Sequence, residues 1–272
     1  MTNEETLDHL LHGLLAENLA LQNTPIPPDY SGKRHMLRTL MNIRPPVPIG
    51  PELLEMQDQI LSAERELKGI TDPYVLPSVQ VEFGASSIPC SDQLSLWKGD
   101  ITTLSAGAIV NAANSKLLGC FIPHHRCIDN AIHSAAGIQL RLDCSQIMQK
   151  QGFDEPTGGA KITRGYNLPA AYVIHTVGPI IADDVSDEDQ RLLASCYSAC
   201  LDQSADYPDI KSVAFCCIST GEFRFPKLPA ARIAVQTVCD WMEASRGRLE
   251  RVIFNVFTQD DYDVYAALFR QS

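Results

Sequence analysis

Leucines recur at helical spacing along the first twenty residues of the chain. They share one face of a helix, which is typical of an amphipathic helix that packs against a partner. These leucines are Leu7, Leu10, Leu11, Leu14, Leu15 and Leu19. Thr2 and Glu5 precede them at the spacing of a capping box, which predicts where the helix begins.

Two further apolar stripes predict two more helices before residue 85. One covers residues 36–43, and the other runs from about Pro51 to a stop near Gly69. The segment RPPVPIGPE, residues 44–52, separates them, because proline removes a backbone donor and disfavours helix at the preceding residue. We expect a helical N-terminal extension over residues 1–85 that either docks on the rest of the chain or forms a dimer contact.

From about residue 88 the pattern changes to strands that alternate with helices. The strand-like runs are LSLWKGD (94–100), GAIVNA (107–112), AYVIHTVG (171–178), SVAFCCIS (212–219) and RVIFNVF (251–257). Helical patterns lie between and after them, at about 126–150, 187–205, 227–244 and 259–270. This alternation predicts a layered α/β domain over residues 86–272 with a largely parallel or mixed sheet.

Ligands of such sheets bind outside the carboxyl ends of the strands, so the loops after AIVNA and FCCIS are the candidate sites. The second of these loops is STGEFRFPK, residues 219–227, and a helix is predicted to begin near Pro226. Gly221 lets the backbone approach a ligand, and successive N–H groups there suit a diphosphate. The alternative is an ordinary tight turn before a helix. The chain contains no G-x-G-x-x-G or Walker pattern, which disfavours the usual nucleotide-binding folds.

Polar side chains follow two of the predicted strands. Asp100 stands after the first, where a carboxylate can accept a hydrogen bond from the exocyclic amine of a base or can cap a turn. Asn111 and Asn114 stand at the end of the second. An amide both donates and accepts, which suits ribose hydroxyls, and the alternative for each asparagine is stabilisation of the turn.

The loop GCFIPHHRC, residues 119–127, contains a metal-binding pattern. Cys120, His125 and Cys127 form C-x4-H-x-C, and two thiolates with an imidazole are what zinc prefers. Three protein ligands leave one coordination position open, as in catalytic rather than structural zinc sites. His124 is the alternative to His125, and accidental clustering without a metal is the alternative to the site.

The loop leads into a predicted helix that begins at CIDN, residues 127–130. Asp129 or Asn130 is expected to cap it, and the N–H groups at this end attract phosphate. His133 and His175 lie inside apolar patterns, so we interpret both as structural.

Composition narrows the class of protein. The chain has 272 residues, of which 45% are hydrophobic and 20% charged, and it contains no apolar run of about 18 residues that would span a membrane. Its nine cysteines are odd in number and two are adjacent, which predicts buried thiols rather than disulfides. The cysteines expected to be buried are Cys196, Cys200, Cys216, Cys217 and Cys239.

The net charge of −11 argues against nonspecific nucleic-acid binding. The acidic start MTNEETLDHLL lacks the basic region of a secretory signal, so we expect a cytoplasmic protein.

Taken in order, the motifs resemble those of the macrodomain family over residues 88–270. The matching segments are GDITTL, AIVNAANSKL, AIHSAAG, YVIHTVGP and ISTGEFRFP. Where ordinary macrodomains carry a glycine-rich loop, this chain has GCFIPHHRCIDN, which resembles the zinc-dependent microbial branch with its helical N-terminal extension. The resemblance implies a three-layer α/β/α sandwich with a central mixed sheet that binds ADP-ribose.

The same resemblance implies roles for individual residues. Asp100 would meet the adenine amine, Ile101 would add a backbone contact, and Asn114 would hold the distal ribose. The residues of the first phosphate loop would be Cys127, Ile128, Asp129 and Asn130, and those of the second Ser219, Thr220, Gly221, Glu222 and Phe223. The zinc ligands would be Cys120, His125 and Cys127, which with Asn114 make up the catalytic set. Glu222 is either a proton-transfer group or a residue that acts through its backbone.

The activity implied is zinc-dependent hydrolysis that removes mono-ADP-ribose from acidic side chains of modified proteins. The branch includes enzymes that act on a lipoyl-carrier protein modified by a companion sirtuin-type transferase. The alternative function is a reader module that binds ADP-ribose, carries a structural zinc and catalyses nothing. Neither interpretation involves nucleic acid or a membrane.

Overall fold

A computed structural model of the chain describes residues 2–85 and 87–271. Within these residues, the helices are α1 (Asn3–Ala16), α2 (Tyr30–Ile43), α3 (Pro51–Lys68), α4 (Val79–Phe83), α5 (Ile128–Ala136), α6 (Ile138–Gln151), α7 (Asp187–Ala205), α8 (Lys227–Ala244) and α9 (Gln259–Arg270). The strands are β1 (Leu94–Lys98), β2 (Ala108–Ala112), β3 (Ala160–Arg164), β4 (Tyr172–Thr176), β5 (Ser212–Phe215) and β6 (Arg251–Val256).

The strands form one mixed sheet in the order β1-β6-β5-β2-β4-β3. Neighbouring strands are parallel except for β3, which runs antiparallel to β4. β2 and β5 are buried along nearly their whole length, which explains why they read as continuous apolar runs rather than alternating ones. The fold is the expected three-layer α/β/α sandwich with a helical N-terminal region.

The three N-terminal helices share their own apolar cluster. Leu7, Leu10 and Leu11 of α1 are fully buried in it with Leu37 of α2 and Ile60 of α3. Each such side chain contributes about 1.5–3 kcal/mol relative to exposure. The capping box of Thr2 and Glu5 is confirmed, and so is the stop of α3 at Gly69, whose φ is 80°.

The N-terminal helices dock on the rest of the chain through α5, α6 and the loop that follows β3. Ile138 of α6 lies in the leucine cluster of the extension, and its backbone N–H donates to Oε1 of Gln57 at 2.9 Å. Asn167 donates to Asp58 at 2.6 Å. Of the two expected roles for the extension, the structure realises docking. The predicted boundary between residues 85 and 86 falls at residue 86, which lies outside the described residues.

Several sequence predictions of secondary structure were wrong. Helix α1 ends at Ala16, so Leu19, which we expected on its apolar face, lies beyond the helix and is exposed. The short helix α4 was not predicted. Strand β3, AKITR, was missed because it is short and follows the turn-forming segment TGG. The single helix predicted over 126–150 is two helices, since Gly137 between them adopts a φ of 104° that an L-residue rarely takes.

All nine cysteines are free, as predicted. Four of the five that we expected to be buried are buried, whereas Cys217 is partly exposed. None of the described helices is long and apolar enough to cross a membrane.

Candidate active site

The predicted site residues lie along the carboxyl edge of the sheet. β1, β6, β5 and β2 run parallel to one another, so the segments that follow β1, β2 and β5 emerge at the same edge. These segments carry Asp100, Asn114 with the loop of residues 118–127, and the second loop of residues 219–223, respectively. His125 of the first loop reaches Glu222 of the second, with Nε2 and Oε1 3.5 Å apart.

The side chains of Cys120, His125 and Cys127 converge in the first loop. Their ligand atoms all lie within 4.8 Å of one another, and the Sγ of Cys120 is 3.6 Å from the Nδ1 of His125. A tetrahedral zinc with bonds of about 2.3 Å to sulfur and about 2.0 Å to nitrogen holds such a pair about 3.5 Å apart. All three side chains are partly exposed, so the group opens toward solvent. Donor type and spacing therefore fit zinc, and no further ligand joins this group among the described residues.

Cys127 has a second role as the N-cap of α5. Its Sγ accepts a hydrogen bond from the backbone N–H of Asn130 at 3.4 Å. The prediction that Asp129 or Asn130 caps the helix is therefore wrong, since both stand in its first turn with their side chains turned inward. Burial raises the pKa of the Cys127 thiol to about 12, so a thiolate here requires a neighbouring cation.

The structure separates the two adjacent histidines. His124 turns toward the N-terminal helices, where its ring stacks on His35 at 3.5 Å between centroids and its Nε2 lies 2.8 Å from the Thr39 hydroxyl. His125 faces Cys120. The arrangement therefore brings His125, rather than His124, to the two sulfur atoms.

Asp129 is buried behind the loop, at 5% exposure. Its carboxylate accepts hydrogen bonds from Asn111 at 2.8 Å and from Asn114 at 3.4 Å. Burial raises the pKa of Asp129 to about 6. Asn111 is fully buried, so the interpretation of its side chain as a ribose ligand is wrong. The side chains of Asp129 and Asn130 are likewise turned away from the cleft, which leaves only their backbone, with that of the half-buried Ile128, to face a phosphate.

Asn114 is held from both ends of its amide. Its Oδ1 accepts from the backbone N–H of Lys116 at 3.0 Å, and its Nδ2 donates to the Gly119 carbonyl at 3.2 Å and to Asp129. The turn-stabilising role is thus present, and the side chain is also partly exposed. The contact with a ribose stays a prediction.

Asp100 caps the short 3₁₀ turn of residues 101–103. Its Oδ1 accepts from the backbone N–H of Thr102 at 3.0 Å and from the Thr102 hydroxyl at 2.7 Å, while Oδ2 lies 3.9 Å from the Lys68 ammonium. The capping alternative is therefore realised, and the second oxygen is left for a ligand. Ile101 is buried, so it can contact a ligand only through its backbone.

Backbone hydrogen bonds close the second loop and tie it to Ile181. Phe225 N–H donates to the Ser219 carbonyl at 2.9 Å, Arg224 N–H to the Gly221 carbonyl at 3.0 Å, and Ile181 N–H to the Phe223 carbonyl at 2.9 Å. Thr220 donates through its hydroxyl to the Cys217 carbonyl at 3.1 Å.

One side chain of this loop has unused hydrogen-bonding capacity, and one glycine faces open space. The hydroxyl oxygen of Ser219 is buried without a hydrogen-bond partner, although buried polar atoms in proteins nearly always have one. Gly221 is exposed, and a Cβ built on it would meet nothing within 4 Å. Glu222 is also exposed, and its carboxylate contacts His125. A role of its side chain in proton transfer therefore stays a prediction.

His133, Cys144 and His175 form a second convergent group, fully inside the core. His175 already has partners, since Nε2 lies 2.9 Å from the Thr163 hydroxyl and Nδ1 lies 3.2 Å from Asn111. Burial lowers the pKa of His175 to about 3 and that of His133 well below its ordinary value, so both rings are neutral at physiological pH. This environment matches the structural role predicted for His175. His133 is likewise buried, but both of its ring nitrogens lack a hydrogen-bond partner among the described residues, so its structural role stays a prediction.

The sequence prediction missed two buried polar residues beside the metal-binding pattern, Asn42 and Arg141. Asn42 accepts a hydrogen bond from the His124 backbone N–H at 3.1 Å, and Arg141 donates to the Leu118 carbonyl at 2.6 Å. The sequence could have indicated their burial, because each is a polar residue next to the apolar positions of a predicted helix.

Fold and site together define a macrodomain, and the comparisons agree. The Macro domain family model matches residues 110–234. Among solved structures, the Trypanosoma brucei macrodomain in complex with ADP-ribose is 29% identical, covers 85% of this chain and 94% of its own, and superposes with a TM-score of 0.64.

Relatives of nearly the same length narrow the class further. A Protein-ADP-ribose hydrolase of Treponema medium is 47% identical over 268 residues, which cover 98% of this chain and 99% of the relative. The protein of the same name from Staphylococcus aureus strain MSSA476 is 44% identical over 271 residues, 99% of this chain and 97% of the relative. The chain belongs to the Macro domain family, among the relatives that carry the hydrolase name. It is a hydrolase, and the alternative function, a binding module without catalysis, does not hold.

Proposed function

We propose that the chain is a zinc-dependent ADP-ribosyl hydrolase that removes mono-ADP-ribose from acidic side chains of modified proteins. The observation that carries the proposal is the convergence of Cys120, His125 and Cys127 at the same sheet edge as the second loop. The names of the relatives and the ADP-ribose held by the Trypanosoma brucei macrodomain support the substrate.

The second loop is the site proposed for the diphosphate. The exposed Gly221 removes side-chain bulk, and the unpartnered Ser219 hydroxyl is a donor already stripped of water. Binding energy gained here is remote from the reacting bond, so it serves to bring the distal ribose to the first loop. The adenine end is proposed to bind near Asp100, whose side chain is partly exposed.

Asn114 is proposed to orient the distal ribose. Because its amide is anchored by Asp129 and by the Gly119 carbonyl, it can present a fixed polar group without adjusting when substrate binds. When bound to the two thiolates and the imidazole, zinc supplies a Lewis acid with one open position, which either lowers the pKa of a water molecule to about 7 or polarises a substrate oxygen. Glu222 beside His125 is a proton acceptor within reach of the same region.

We further propose a lipoyl-carrier protein as one modified substrate, on the resemblance of the first loop and the N-terminal extension to the zinc-dependent microbial branch. An acidic-side-chain linkage is an ester, and hydroxide attacks an ester carbonyl readily, the more so when a metal would polarise the carbonyl oxygen.

A substrate panel tests the proposed function. Proteins carrying ADP-ribose on aspartate or glutamate should release it, whereas proteins modified on arginine or serine should not. Treatment with a chelator should stop the release, and one equivalent of zinc should restore it. Equal release from all linkages, or release that survives removal of the metal, would contradict the proposal.

Gly221→Val tests the second loop. Gly221 does not adopt a positive φ and has no atom near its Cβ direction, so valine should fold normally and project into the proposed diphosphate space. We expect ADP-ribose affinity to fall about tenfold or more, equivalent to about 1.4 kcal/mol or more. Gly50→Val is the matched control, because Gly50 is equally unobstructed but lies at the start of α3. Equal affinities of both variants by calorimetry would remove this loop from the site.

A further inference from the structure

The backbone of the first loop is fixed by buried side chains that lie outside it. The Leu118 and Cys120 carbonyls accept from Arg141 at 2.6 and 3.4 Å. The Ile122 carbonyl accepts from Asn130 at 3.0 Å. The His124 backbone N–H donates to Oδ1 of Asn42 at 3.1 Å. Every second residue from 118 to 124 thus has its backbone hydrogen-bonded to a buried side chain outside the loop, in the segment that leads to His125.

These ties lead back to α2 of the N-terminal extension. Asn42 stands near its end, and its Oδ1 also accepts from Nδ2 of Asn130 at 3.1 Å. Arg141 donates to the Met41 and Asn42 carbonyls, at 2.9 and 2.8 Å, so it joins the end of α2 to the loop. Asn42, Asn130 and Arg141 are all buried, where a broken hydrogen bond costs more than at the surface.

The same helix also accounts for the conformation of His124. This residue has a φ of 56°, in the left-handed region that non-glycine residues seldom occupy. Three groups of α2 hold it there, namely the Asn42 side chain on its N–H, the His35 ring stacked on its imidazole, and the Thr39 hydroxyl at its Nε2. Because the left-handed turn at His124 directs the next residue, it sets where His125 meets Cys120 and Cys127.

We propose that helix α2 of the N-terminal extension fixes the conformation of the metal-ligand loop, with Asn42 as the positioning residue. The inference rests on the proposed function for the identity of the metal. It gives the extension a role beyond docking, since the ligand loop is held by a residue 82 positions earlier in the chain.

Asn42→Ala tests the proposal against Asn167→Ala. Asn167 is also a buried asparagine that ties the extension to the rest of the chain, through Asp58, but its bonds do not reach the loop. Zinc affinity, measured by competition with a chromophoric chelator, should fall about 10- to 100-fold in Asn42→Ala and stay at the wild-type value in Asn167→Ala. In the metal-free protein, amide hydrogen exchange over residues 118–127 should accelerate only in Asn42→Ala.

The outcomes separate the inference from the proposed function. Unchanged zinc affinity and exchange in Asn42→Ala, or equal changes in both variants, would overturn the role of α2. A wild-type chain that binds no zinc would overturn the proposed function, and the exchange comparison would then decide alone whether Asn42 holds the loop. If circular dichroism shows Asn42→Ala to be unfolded, Thr39→Val takes its place, because it replaces a hydroxyl with a methyl group of similar size at a partly exposed position. Wild-type affinity and exchange in that variant would count against the proposal.

Discussion

Replacement of Cys127 by alanine is expected to abolish both zinc binding and hydrolysis while the sheet stays folded. The change removes one of only two sulfur ligands from the group of Cys120, His125 and Cys127. We expect turnover to fall by a factor on the order of 10³ or more. The sulfur also caps α5, so stability should drop by about 1 kcal/mol, too little to unfold the domain.

Cys90→Ala is the matched control for this variant. Cys90 is a free and likewise partly exposed cysteine, and it lies outside both loops. It should keep one zinc per chain and the wild-type rate. His125→Ala should behave like Cys127→Ala, whereas normal turnover in either ligand variant would refute a role for the metal in the reaction.

Asn114→Ala is expected to lower kcat/KM about 100-fold. Its amide is held in place by Asp129 and by the Gly119 carbonyl, so it is preorganised for the role proposed for it, the orientation of the distal ribose. A misplaced reacting bond loses about this much rate. Zinc content at saturating zinc should be unchanged, since Asn114 is not among the ligands, even if the loss of its bond to the Gly119 carbonyl lowers the affinity. The readout is single-turnover release of ADP-ribose with zinc measured on the same sample.

Asn18→Ala provides the control, because Asn18 forms the same kind of turn away from the site. Its Oδ1 accepts from the N–H of Ala20, two residues on, at 3.0 Å, as Asn114 does from Lys116. Any loss that comes from the turn alone should appear in both variants. Similar rates for the two would mean that Asn114 acts only as a turn residue.

The fold could be predicted because its elements have strong local patterns. Patterns among residues a few positions apart are enough to predict several elements. Examples are the leucines of α1, the capping box at Thr2 and the apolar strands β2 and β5. Strand β3 has no such signal, since AKITR is short and flanked by turns. The break at Gly137 is hidden in the same way, because apolar spacing continues across it.

The candidate site was predictable where its residues are consecutive and not where they depend on distant partners. The C-x4-H-x-C spacing lies within one loop, so it could be read directly. The inward turn of Asp129 depends on Asn111 of the neighbouring strand, and the hold on His124 depends on α2. Such contacts between residues far apart in sequence leave no periodic pattern, and a single sequence therefore cannot reveal them.

The acidic character of the chain constrains how it can bind a diphosphate. With a net charge of −11, the overall field repels an anion, so local backbone dipoles and hydroxyls must provide the attraction. The second loop offers such groups around Ser219 and Gly221 without a basic side chain among residues 219–223. Binding should accordingly depend on loop geometry more than on ionic strength.

The central claim is that two sulfurs and one imidazole of residues 120–127 hold a zinc ion whose remaining position is free. Zinc-edge X-ray absorption on the purified chain, combined with a metal count, tests it most directly. The expected result is one zinc per chain with two sulfur neighbours at about 2.3 Å and nitrogen or oxygen neighbours at about 2.0 Å, one of which exchanges when ADP-ribose is added. A fully active preparation that contains no metal, or a zinc surrounded by four protein ligands, would contradict the account.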